Sequence, residues 1–128
     1  MLAALRLPAL LAGVGAGTLS AAILAVVGGA ALTSVGVADG AAVALAPSIV
    51  VGFGIGGYVA GRAVHHSSRF HGAVSGLAMA AVVVGIARLG GSPAPTPQVI
   101  LLAAMGMVVG GLGGQLAARR SMPPPVGG

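Results

Sequence analysis

Residues 10–32 read LLAGVGAGTLSAAILAVVGGAAL, inside a run of 32 residues between Arg6 and Asp39 that carries no charge. A helix needs about 20 predominantly apolar residues to cross the hydrocarbon core of a bilayer, and this run exceeds that. Outward from it, charges cut the chain again and again at the same scale. There are 22 uncharged residues between Asp39 and Arg62, 18 between Arg69 and Arg88, and 30 between Arg88 and Arg119, the last set opening on a Pro-rich turn. Lipid offers no partner to a backbone N–H or C=O, so such segments must be helical, and four strands could not close a barrel. The expected fold class is all-α integral membrane: a four-transmembrane-helix bundle with spans at about Leu10–Leu32, Ala41–Gly61, Phe70–Leu89 and Val99–Ala118.

Composition points the same way. Of the 128 residues, 57% are hydrophobic and 5% charged, against about 25% charged in an average soluble domain. Seven charged side chains cannot cover a soluble surface. A soluble enzyme, a nucleic-acid module and a disordered chain are excluded on that ground, and the high isoelectric point reflects missing acids, not a dense basic patch. There is no Cys, hence no disulfide, thiol chemistry or iron–sulfur site. Basicity carried by Arg without Lys, with abundant Gly and Ala, resembles the codon bias of a GC-rich bacterial genome, and a bacterial source is expected.

Four spans divide the arginines five to one. Arg6, Arg62, Arg69, Arg119 and Arg120 fall at one membrane face and Arg88 at the other. The positive-inside rule then puts both termini and the central loop in the cytoplasm of a bacterial plasma membrane, with the short loops around Asp39 and Pro93–Pro97 outside. The first apolar run is longer than the 7–15 residues of a signal-peptide core, so it is expected to remain as a span. Residues 1–120 are expected to form one membrane domain and 121–128 a disordered Pro/Gly tail.

Displaced by 57 residues, the chain resembles itself. Residues 13–62 and 70–119 share 16 identities in 50 positions, where this composition would give roughly 6 by chance. The expectation is a duplicated helical hairpin, 10–62 and 70–119, in parallel repeat. The 24 glycines recur four apart as Gly13/Gly17, Gly52/Gly56, Gly57/Gly61, Gly72/Gly76 and Gly106/Gly110/Gly114. Each set lies on one helix face and lets another backbone approach closely. Their first use is packing within the bundle; with so many stripes, some are expected to face a second subunit. Thr18, Ser20, Ser48, Ser75 and Gln115 are the candidate interhelical donors, and Pro47 either kinks the second span or marks its first turn.

Chemistry is sparse. No Asp, Glu, Lys or Arg lies at mid-membrane, which argues against a proton-coupled transporter. No catalytic, metal or cofactor-binding set is expected: the one acid, Asp39, lies across the membrane from every histidine. His65, His66 and His71 are the metal-like cluster, read here as a solvated interfacial loop. If the second helix ran past Gly61, then Arg62, His65, His66 and Arg69 would share one face at the cytoplasmic surface. With Arg119 and Arg120 they form a candidate site for anionic lipid head groups. Asp39 and Arg88 are a candidate ion pair tying the outer loops together.

The segment Gly56-Gly-Tyr-Val-Ala-Gly-Arg62, a short polar loop, then His71-Gly-Ala-Val-Ser-Gly-Leu77 resembles the YrzE-like family of small four-span bacterial membrane proteins. The resemblance implies a plasma-membrane protein and carries over no catalytic residue. The expected function is a structural or interaction role, an accessory subunit packing through Gly-rich helix faces. The alternative is an oligomeric small channel or transporter. Expected partners are membrane lipids and a second copy or another membrane protein, not nucleic acid.

Overall fold

Apolar runs with no other hydrogen-bond partners become helices, and the four helices here extend slightly beyond the apolar spans. The computed structural model describes residues 6–64, 66–91 and 95–121, so His65, much of the Pro-rich turn and the tail after Ser121 lie outside the described residues. The chain is all-α: α1 Leu7–Ser34, α2 Gly40–Arg62, α3 Ser68–Leu89 and α4 Thr96–Ser121. No strand occurs among the described residues. Each helix is long and apolar enough to cross a membrane, and the chain is a multi-pass membrane protein. The added turns at the ends hold Pro8 and Arg62, residues suited to an interface rather than to hydrocarbon. Pro8 sits in the first turn of α1, where its missing N–H costs no helical bond.

α1 and α2 form one antiparallel hairpin and α3 and α4 the other. α2 touches all three other helices, while α1 and α4 do not meet. The apolar centre is small. Phe53 of α2 and Met79 of α3 are fully buried, with Ala21 of α1 and Ala80 of α3 beside them and Ile49, Leu102, Met105 and Val109 packed around. Pro47 lies well inside α2, so the first-turn reading is corrected. Of the expected interhelical donors, Ser48 turns back on its own helix and donates to the Ala44 carbonyl at 2.6 Å. The hydroxyls of Thr18 and Ser75 are buried without a hydrogen-bond partner. A Ser or Thr hydroxyl reaches its own preceding turn more easily than a neighbouring helix, and here the neighbouring surfaces are largely glycine.

Two helix ends depend on glycine geometry. α1 stops at a left-handed Gly36 with φ 86°. The N–H of Gly36 donates to the Thr33 carbonyl at 3.1 Å and that of Val37 to the Leu32 carbonyl at 2.9 Å, the paired bonds of a Schellman motif. α3 stops the same way: Gly91 has φ 78° and its N–H donates to the Arg88 carbonyl at 3.1 Å. Asp39 adopts φ 54° just before α2 and makes no side-chain cap, although its charge there suits the positive end of the helix dipole. Any Cβ in the left-handed region costs about 1–2 kcal/mol. Gly36→Ala and Gly91→Ala are therefore each expected to lower stability by about that amount in detergent-mediated unfolding. An unchanged midpoint in both would contradict these helix ends.

Candidate functional site

The residues singled out by spacing fall into two places, a backbone-on-backbone seam inside the bundle and a basic end. In the first hairpin, Gly13 lies opposite Gly56 and Gly17 opposite Gly52. A Cβ on Gly13 would stand 2.6 Å from the Gly56 oxygen, and one on Gly56 would stand 2.7 Å from the Gly13 oxygen. Gly17 and Gly52 are reciprocal in the same way, at 2.6 and 2.7 Å. Met79 of α3 closes this crossing from the side, its sulfur 2.8 Å from the Cβ position of Gly17. In the second hairpin, Gly72 lies opposite Gly110 and Gly76 opposite Gly106, again each carbonyl aimed at the other's α-carbon. This is the geometry of Cα–H···O contacts between closely apposed helices.

A third contact joins the hairpins. Gly57 of α2 abuts the carbonyl of Gly110 on α4, and Gly61 abuts Gly114, whose Cα is 2.7 Å from the Cβ position of Gly61. Gly110 thus faces α2 and α3 at once. All eleven glycines picked out by four-residue spacing are used inside the chain, which corrects the expectation that some of these stripes face a second subunit. Gly113 belongs to the same junction, against the Gly54 carbonyl. Four-residue spacing passed it over because the residues four away on α4 are Val109 and Ala117.

The hairpins superpose their contacts with a shift. Gly13 and Gly17 match Gly72 and Gly76, 59 residues on, whereas Gly52 and Gly56 match Gly106 and Gly110, 54 residues on. The chain between the two crossings is therefore five residues shorter in the second hairpin.

The basic end collects the N-termini of α1 and α3 and the C-termini of α2 and α4. Arg6, Arg62, His66, Arg69, Arg119 and Arg120 are exposed there. Arg69 lays its stem along α4, with Cγ 3.8 Å from the Cβ position of Gly111. The single helical face expected for Arg62, His66 and Arg69 does not form. α2 ends at Arg62, and a turn through a left-handed Ser67, φ 60°, starts α3 anew. A continuous helix would have carried α3 out of the bundle instead of back through it.

His71 is a correction of another kind: it is buried, 3% exposed, not solvated. Its Nδ1 lies 3.1 Å from the Ser67 carbonyl, so Nδ1 carries the proton. Nε2 then accepts from the Arg6 backbone N–H across a long 3.4 Å. Phe70 meets its ring edge-on, with centroids 5.8 Å apart. Both ring nitrogens are engaged, and among the described residues no three His, Asp or Glu side chains converge on a point that could hold a metal.

Asp39 and Arg88 stand at the opposite end, but among the described residues they form no ion pair. Arg88 lies on the α3 face that borders α4, whereas Asp39 opens α2 on the side of α1, with Gly40 against Thr33. No family model, curated protein or solved structure matches the chain.

Overpacking a close crossing costs about 1–3 kcal/mol or more. Gly110→Val, at the junction of three helices, is expected to lower the unfolding midpoint strongly. Gly15→Ala should leave it unchanged, since a Cβ there meets nothing within 4 Å. Equal effects would refute the seam. In nitrogen NMR the neutral His71 ring is expected as the Nδ1–H tautomer. A proton on Nε2 would contradict both of its hydrogen bonds.

Proposed function

We propose that this chain is a small accessory membrane protein with a structural or interaction role. The observation that carries the reading is the one-sided use of α1. Its buried residues are Ala9, Gly13, Gly17, Ala21 and Gly29, almost all four apart on a single face. On the other side of the helix Leu11, Leu19, Ile23 and Val26 are exposed, and α1 makes no contact with α4. A 28-residue helix spent on so narrow an internal contact leaves most of its surface for lipid or for another membrane helix. A pore through a single chain draws no support, because fully buried Phe53 and Met79 fill the middle; the alternative of an oligomeric channel or transporter requires a path between copies. Membership of the YrzE-like family and descent from a duplicated hairpin belong to the same proposal.

The proposed setting is a bacterial plasma membrane with the five-arginine end and both termini in the cytoplasm, where anionic lipid attracts basic side chains. Because the chain has no Cys, single cysteines report topology cleanly. Ala38→Cys is expected to react with an impermeant maleimide in intact cells, and His66→Cys only after lysis. The reverse pattern would invert the orientation. For the accessory role, native mass spectrometry from a mild detergent should show a partner at fixed stoichiometry, whereas a homo-oligomer of defined number favours the channel reading. A bare monomer counts against both.

A further inference from the structure

We propose that the second hairpin holds one phospholipid at the end opposite the five arginines, its acyl chain in the groove between α3 and α4 and its phosphate on Arg88. The inference rests on the helices crossing a bilayer and is independent of the accessory role.

The glycine seam between α3 and α4 ends at Gly76 and Gly106. Beyond it the two helices part over a groove of about 440 Å³, bordered by Leu77, Ala81, Val84 and Arg88 on α3 and by Val99 and Ala103 on α4. The α3 residues recur at helical spacing along one face. Space remains on this stretch of α3, since a Cβ on Gly85 would meet nothing within 4 Å. Every border residue named here is apolar except Arg88. From Leu77 to Arg88 the helix rises about 16 Å, half of the ~30 Å hydrocarbon core. The groove therefore spans one leaflet, the depth of one acyl chain, and its single cation sits at head-group level.

Charge complementarity selects the occupant. Arg88 is exposed and makes no ion pair among the described residues. An arginine at this depth lays its stem along apolar surface and seeks an anion at the interface, and a lipid phosphate accepts two guanidinium N–H bonds at once. The first hairpin provides the contrast. Its larger groove, about 750 Å³ between α1 and α2, is lined by Val26, Ala30, Thr33, Ala42 and Leu45 among others, and has no charged residue. It can take apolar chains but has nothing to hold a head group. A helix from another protein would have to bring a carboxylate to the same arginine.

The test is native mass spectrometry of the full chain, purified in mild detergent and incubated with phosphatidylglycerol. One retained phospholipid per chain is expected. Arg88→Gln should lower its occupancy about fivefold, the value of one basic side chain at a lipid surface. Arg88→Lys should retain most of it. Filling the groove with Ala81→Leu and Ala103→Leu together should remove it while the arginine stays. Gly15→Ala, on α1 and away from the groove, should have no effect, since a Cβ there meets nothing within 4 Å. The proposal is overturned if the folded wild type retains no phospholipid, if Arg88→Gln leaves occupancy unchanged, if Gly15→Ala lowers it as much, or if the filled groove still binds. Failure of the membrane reading would show separately, as protein extracted from membranes by alkaline carbonate. Failure of the accessory role would show as a lone monomer in the same spectra.

Discussion

The contact of one helix backbone with another, glycine on glycine, is what the rest of this molecule depends on. In lipid, apolar side chains gain little by leaving one hydrocarbon surface for another, so helices associate through close fit. This chain achieves fit by removing side chains. At four positions the carbonyl of one glycine occupies the space where its partner's Cβ would be, and the partner does the same in return. Reciprocity makes each crossing intolerant on both sides. It also explains why the apolar centre can be as small as Phe53, Met79 and a few alanines: the backbones themselves fill most of the interior.

The buried hydroxyls follow from the same constraint. Thr18 and Ser75 find no partner because the surfaces facing them are short of polar side chains. An unmade bond costs less where the unfolded reference also lies in lipid than it would in a soluble core. His71 is the exception, a ring held by two backbone groups at the place where α1 begins and α3 turns inward.

Element type and number were legible because charge spacing in a membrane chain reports spans almost directly. Each of the four spans is recovered, lengthened by the interfacial turns that a criterion of pure hydropathy omits. The glycine stripes were legible as faces but not as partners, since four-residue spacing says which residues share a side and not what lies across from them. Internal similarity at 57 residues falls between the contact offsets of 59 and 54. At an offset of 57, Gly13, Gly17, Gly52 and Gly56 fall on Phe70, Val74, Val109 and Gly113, so the sequence similarity does not pair the glycines that hold corresponding places in the two hairpins. The end of the second span was placed within one residue, but the break before α3 was not legible: no Gly or Pro follows Gly61 there, and a serine takes the left-handed position. The burial of His71 was hidden for the same reason, because it depends on where α3 restarts.

α1 and α4 never meet, and this bears on how the molecule is made. A nascent chain enters the membrane from its N-terminus, and the first hairpin has its Gly13–Gly56 and Gly17–Gly52 crossings complete within itself before the second hairpin has been synthesised. The second hairpin closes through its own pairs and then meets the first mainly along α2, with Gly110 and Gly114 seating on Gly57 and Gly61. Biogenesis can thus proceed in two self-sufficient insertions followed by lateral docking, with no step that waits for the last helix to reach the first.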